Sequence, residues 1–249
     1  MEPMELAADV YRAKMAYMSP SALRKLFADP PPDEVAQLVL AQAYDLEVHE
    51  ADEAFACSWF VGSLLVIAIR GTVVKYWRNV ADDFDVASVT PSWLPEGVQV
   101  HGGFLRHFEH LQPLLQARLA STSNVHFVGH SLGGAAASLA CWHALATLPC
   151  IFASLTTVGA PRVGNAAYAT WCAGHAGPTT VIIIESVRDP IPRLPGWLVE
   201  PWCTELQRFQ VRGGLLPDVL AHDLDIYFLL CEGKQPGALD YLRVLWRRL

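Results

Sequence analysis

Between Arg118 and Arg162 the chain has no Asp, Glu, Lys or Arg at all. A helix set in that stretch has no charged face to turn toward water, so it belongs in the interior. Charge is scarce elsewhere too, at 17% of residues against 52% hydrophobic, which predicts a sheet with both faces covered. The formal net charge is −7, with no cluster of Lys and Arg. Without a basic patch to hold phosphates, nucleic acid is not an expected partner. The six cysteines, at positions 57, 141, 150, 172, 203 and 231, form no C-x-x-C pair. Buried thiols are the first expectation, with disulfides and metal ligation the alternatives; no metal site is assigned. No Ser/Gly linker, low-complexity tract or solenoid repeat divides the chain, so residues 1–249 are expected to form one domain. The opening "MEPMELAADVYRAK" has neither the basic start nor the apolar core of a signal peptide. The uncharged run from Ala54 to Ile69 is too short to span a bilayer and is interrupted by Gly62 and Ser63. As written, the chain is expected to be cytoplasmic.

What is present is punctuated in an orderly way. Leu6 to Phe27 predicts a helix broken near Ser19 and Pro20, and Asp33 can cap a second helix with Val35, Leu38, Val39 and Leu46 at helical spacing. In "FACSWFVGSLLVIAIRGT", two β-rich runs flank Gly62 and Ser63, the spacing of a tight hairpin. Beyond Arg70, "VQVHGGF" predicts a short strand, Leu105 to Ala120 a helix, "VHFV" a strand and Gly133 to Leu148 a helix. "SLTTVGAP" and "TVIIIESV" predict two more strands. Strands alternating with helices argue for an α/β fold with a mainly parallel sheet.

The segment "VHFVGHSLGGAAAS" runs a strand into Gly129, Ser131, Gly133 and Gly134 and then into an alanine-rich helix. The bare G-x-S-x-G pattern is expected by chance in about 8% of chains of this length. Its strand–turn–helix setting says more, because a nucleophile elbow needs a sharp turn and glycines where side chains would collide. The alternative is a Gly-rich turn with a structural serine. A serine nucleophile also needs a base and a group to orient it. In the α/β-hydrolase chain order the acid and then the histidine follow the serine. Three histidines do: His143 lies on the buried helix, His175 lies before the strand that would carry the acid, and His222 remains. Five carboxylates lie between Ser131 and His222. Asp189 is favoured because it stands just past a strand's carboxyl end, where catalytic groups gather, with Asp218 the second choice.

Six blocks occur in order: "IRGT", "VHGGF", "VGHSLGG", "VGAPRVGN", "RDPIPRLP" and "HDLDIY". With them the chain resembles the class 3 lipases, the fungal-lipase-like branch of the α/β-hydrolases. The resemblance implies the α/β-hydrolase fold, helices on both faces of the sheet, and ester hydrolysis without metal or organic cofactor. It implies Ser131 as nucleophile, Asp189 as acid and His222 as base. It also implies an oxyanion hole from the backbone N–H groups of Thr72 and Leu132, with the Thr72 hydroxyl as a third donor. The segment 73–86, "VVKYWRNVADDFDV", stands where the family carries a short helical lid. Val73, Trp77, Val80 and Phe84 recur at steps of four, three and four, one apolar stripe opposite Lys75, Arg78, Asn79, Asp82 and Asp83. That stripe would cover an acyl-binding cleft and touch a lipid interface transiently; the alternative is an ordinary surface helix. Arg162 and Asn165 are expected to stabilise a loop, and His130 to have mostly a packing role. Triacylglycerol, other acylglycerols, phospholipid A1 esters and short esters all remain open as substrates, as does a binding scaffold without activity.

Overall fold

The hairpin predicted at Gly62 and Ser63 is the inner half of a three-strand antiparallel edge, β1 (Ala43–Ala51), β2 (Ala54–Val61) and β3 (Leu64–Ile69). The computed structural model describes residues 3–71, 87–149, 151–195, 205–211, 222–232 and 234. Gly62 takes φ +59°, the left-handed turn conformation that glycine adopts without steric cost. β1 was not predicted, and Leu46, expected on the helix capped by Asp33, lies on it. That helix ends at Leu40. Pairing with β2, a register shift between Tyr44 and Glu47, and Asp45 at φ +56° carry the chain into an edge strand instead. Tyr44 stacks on Phe60 across the pair, with ring centroids 5.6 Å apart.

Three helices precede this edge: α1 (Pro3–Met15), α2 (Pro20–Ala28) and α3 (Glu34–Leu40). The predicted break is real. Ser19 caps α2, its hydroxyl accepting from the Ala22 amide at 3.2 Å, and Asp33 caps α3 through the Ala36 amide at 2.8 Å. Each cap contributes about 1 kcal/mol by satisfying an amide the helix cannot use internally.

The remaining chain alternates between helix and strand: α4 (Gly102–Ala120), β6 (Asn124–His130), α5 (Leu132–Thr147), β7 (Phe152–Val158), α6 (Ala166–His175), β8 (Thr180–Ser186), β9 (Glu205–Val211) and α7 (Leu224–Cys231), of which α6 and β9 were not predicted. The seven-stranded sheet has the order β1-β2-β3-β6-β7-β8-β9, parallel from β3 onward. "VQVHGGF" gives only β5 (Val100–His101), which pairs with β4 (Ser88–Val89) outside the main sheet.

Helices cover both faces. Phe104, Phe108, Leu111, Trp142 and Tyr168, from α4, α5 and α6, pack with Ile67, Phe127 and Leu155 on one side. Val10, Leu23, Val39 and Tyr227, from α1, α2, α3 and α7, pack with Val66, Val128 and Ile184 on the other. The charge-free helix α5 is interior as expected: Ala135 to Trp142 are all buried. Leu139 and Trp142 have no exposed surface, and burying a side chain such as Leu139 stabilises by about 1.5–3 kcal/mol. Cys57, Cys141, Cys172 and Cys231 are buried thiols outside any disulfide, while Cys150 and Cys203 lie outside the described residues. Burial pushes the thiols of Cys57 and Cys231 up to about 12.

Candidate active site

The serine turn begins where β6 ends. Ser131 sits at φ 60°, ψ −133°, a conformation a non-glycine residue adopts only when its surroundings force it. What forces it is close backbone packing. A Cβ at Gly133 would run into the Ile69 carbonyl and the Arg70 backbone, and a Cβ at Gly129 into the Gly133 carbonyl. The Ser131 amide donates to the Val158 carbonyl at 3.0 Å, and the Ser131 carbonyl accepts from Gly134 at 2.9 Å. Ser131 thus stands at the N-terminus of α5, and its hydroxyl makes no capping bond to that helix. The first-turn amides, Leu132 the first of them, point toward the same end with the positive pole of the helix behind them.

Asp189 stands three residues past β8 in a loop closed by the 3₁₀ turn Ile191–Arg193. The carboxyl is buried and accepts three hydrogen bonds. Its Oδ1 takes the Ile191 amide at 2.9 Å; its Oδ2 takes His222 Nδ1 at 2.5 Å and the Tyr227 hydroxyl at 2.7 Å. Because a carboxylate accepts, Nδ1 of His222 carries the proton, and Nε2 is the nitrogen left with a lone pair. His222 is only 1% exposed and immediately precedes α7, which Asp223 caps.

These parts converge at Gly159, whose φ of +56° turns the chain beside them. A Cβ there would lie 2.9 Å from Asp189 Oδ2, 3.0 Å from the Tyr227 hydroxyl and 3.2 Å from His222 Cε1. The preceding residue, Val158, is the one that anchors Ser131. The His222 ring also lies 4.5 Å from the ring of His130, the neighbour of Ser131. The structure thus brings Asp189 and His222 into contact at the carboxyl end of the sheet, with Ser131 on the neighbouring turn. The other histidines lie elsewhere: His143 bonds to Gln112 at 3.1 Å, and His175 is exposed and folded back on the Trp171 carbonyl at 2.8 Å.

Sequence reasoning missed Tyr227. Its hydroxyl donates to Asp189 and accepts from the Ser186 amide at 2.9 Å, which ties the acid to the end of β8. Burial, and then the neighbouring Asp189, raise its phenol well above the usual range, so it stays a donor. The signal was present, since Tyr227 is the only polar-tipped side chain in the apolar run "IYFLL" after His222. His130 needs a correction. It does more than pack, because both ring nitrogens are hydrogen-bonded, Nδ1 to Tyr17 and Nε2 to the His222 carbonyl. Asn165 stabilises its loop as expected, capping α6 through Tyr168 and donating to the Gly97 carbonyl. Thr72, Asp218 and the lid candidate 73–86, with Val73, Trp77, Val80 and Phe84, lie outside the described residues.

A family profile described as Lipase (class 3) matches residues 66–199, more than half the chain. The chain belongs to the class 3 lipases. Within that family it is 34% identical over 137 residues to a secreted mono- and diacylglycerol lipase of Fusarium solani, covering 53% of this chain and 39% of that one. It is 32% identical over 199 residues to a lipase of Rhizopus niveus, covering 68% and 49%. The chain thus spans less than half the length of these curated relatives. In fold it is similar to the crystal structure of a lipase from Rhizopus microsporus var. chinensis, with a TM-score of 0.64 at 23% identity, covering 78% of this chain and 69% of that one. The sheet order and two-sided helix layers described above are those of the α/β-hydrolase fold this class 3 lipase shares with its structural neighbours.

Proposed function

We propose that the chain is a lipase-type carboxylic ester hydrolase that cleaves acylglycerol or related lipid esters through a covalent acyl-enzyme. Ser131 Oγ attacks the ester carbonyl while His222 Nε2 takes its proton. Asp189 holds the imidazole in the tautomer that can do so and stabilises the imidazolium that forms. His222 then returns the proton to the departing alcohol, and water, activated by the same imidazole, releases the acid. Two backbone amides, Thr72 and Leu132, take the developing oxyanion, and each such donor is worth about 3 kcal/mol in the transition state. The stripe Val73, Trp77, Val80 and Phe84 forms a lid over the acyl cleft. None of these steps calls for a metal or organic cofactor.

The observation that carries this reading is the buried hydrogen bond from His222 to Asp189 beside a serine held at positive φ on a strand-to-helix turn. A panel of p-nitrophenyl esters, acylglycerol emulsions and phospholipid vesicles, measured below and above the solubility limit, tests it. Hydrolysis by the wild type, with fluorophosphonate labelling that Ser131→Ala abolishes, is expected. No turnover and no labelling of the wild type would leave only a binding scaffold. A jump in rate at the emulsion boundary supports the lid, and phospholipid cleavage in preference to acylglycerols would move the substrate to a phospholipase A1.

A further inference from the structure

Tyr17 lies just beyond α1, far in sequence from every residue considered so far, yet its hydroxyl is buried at the active end of the sheet. It accepts from the Gly71 amide at 3.1 Å and lies 2.9 Å from His130 Nδ1. On the other side of that ring, Nε2 is 2.8 Å from the His222 carbonyl. A carbonyl only accepts, so Nε2 carries the proton, and Nδ1 of the neutral ring accepts from Tyr17. The bonds therefore run in one direction, from Gly71 N–H to Tyr17 O–H to His130 and on to the His222 carbonyl, each polarising the next. Burial keeps the Tyr17 phenol well above its ordinary range, so its proton is always there to give.

The Gly71 amide belongs to the same peptide group as the Arg70 carbonyl. That carbonyl lies 3.0 Å from His107 Nε2, and burial brings the His107 imidazole down to about 4. Both polar ends of the Arg70–Gly71 peptide are thus held, one by a phenol and one by an imidazole. There is no room to tilt: a Cβ at Gly71 would lie 2.7 Å from the His130 carbonyl and 2.8 Å from the Tyr17 oxygen.

We infer that Tyr17, acting through His130, is a positioning residue that locks the Arg70–Gly71 peptide at the end of β3 to the backbone of His222, so that this strand end and the base keep one fixed relation. The inference rests on the hydrolase reading above, in which His222 is the base. Neither Tyr17 nor His130 touches the reacting atoms; each acts through a neighbour on the backbone.

The test uses the full chain with p-nitrophenyl butyrate, separating kcat from KM. Tyr17→Phe, which keeps the ring, is expected to lower kcat about 10- to 100-fold, the cost of a misplaced catalytic group, with KM changed by about twofold or less. His130→Gln, whose amide can still donate to the His222 carbonyl, should retain more kcat than His130→Leu. Adding Tyr17→Phe to His130→Leu should cost about threefold or less, because the relay is already cut. A Tyr17→Phe enzyme with wild-type kcat overturns the inference, as do losses that simply multiply in the double variant. A readout free of turnover and of variants is the ¹⁵N spectrum of labelled histidine in the wild type. A neutral Nε2–H tautomer at His130 is expected, and an Nδ1–H tautomer overturns the relay. Absence of wild-type hydrolysis and of Ser131 labelling would sink the hydrolase reading itself, whichever tautomer is found.

Discussion

The protein brings a serine, a histidine and an aspartate near one another in two places, and only one of them sets its serine on a strand-to-helix turn. At the carboxyl end of the sheet, Asp189 faces His222 beside Ser131. Lower in the same strands, Ser154 Oγ lies 2.8 Å from His126 Nδ1, and His126 Nε2 lies 3.3 Å from Asp9 Oδ1. The second set has the same order of groups and one closely bonded serine–imidazole pair. What it lacks is the backbone around the serine. Ser154 lies within β7, in register with His126 on one side and Thr180 on the other, so the main chain about it is committed to the ladder. Ser131 instead stands at the N-terminus of α5 at positive φ, where the first-turn amides have no partner within the helix. A relay of side chains is common polar packing; a serine held at positive φ between a strand and a helix is not.

The lower set has another use. Asp9 is a buried acid on the apolar face of α1, where Arg12 Nη1 reaches it at 2.5 Å and the Thr156 hydroxyl at 2.6 Å. Burial alone would raise its carboxyl. The nearby His126 and Arg12, with the hydrogen bond from Thr156, outweigh that and hold it well below the usual carboxylate range. The cluster pins α1 to β6 and β7.

The largest expected break in this contrast is Ser131→Ala. It should lower ester hydrolysis by about 10⁴-fold or more, while Ser154→Ala keeps wild-type turnover and phosphonate labelling, read from initial rates and intact mass. Next is Asp9→Asn, expected to cost about 3 kcal/mol at pH 7 because it strips the charge from a buried cluster. The sign with pH follows from a carboxyl held low in the folded state. Its stabilisation is complete above the unfolded value near 3.9 and fades as pH falls toward the folded one. Melting curves of wild type and Asp9→Asn should therefore converge in acid; a gap that persists undiminished below pH 3 would refute the electrostatic account. Tyr227→Phe should lower kcat about tenfold by releasing one side of Asp189, with KM little changed. The smallest effect is that of Ser154→Ala on stability, about 1 kcal/mol for a lost hydrogen bond, or roughly 2–4 °C in Tm.

Much of the fold was legible because its punctuation is local. Gly62 and Ser63 mark the hairpin, Ser19 and Asp33 the caps, and the charge-free stretch marks the interior helix. β1 was not legible. It carries Asp45, Glu47, His49 and Glu50, and only its partner strand makes a strand of it. At the site, Ser131, Asp189 and His222 could be chosen by chain order and strand ends. Tyr17 could not, since it acts through a hydroxyl whose partner is fixed only by the packing of distant helices, and Tyr227 left only the hint of a polar tip in an apolar run. His130 was misjudged for the same reason: its neighbours in sequence say nothing of Tyr17, 113 residues away.

One contact bears on how the protein is made. The helix that follows His222 rests on α1, through Tyr11 against Phe228 and through Lys14 with Asp225, partners 211 residues apart. At ordinary ribosomal speeds of 5–20 residues per second, the early helix waits roughly 10 to 40 s for its late companion to be synthesised. During that interval the turn that carries Ser131 is already off the ribosome, while His222 has not yet been made.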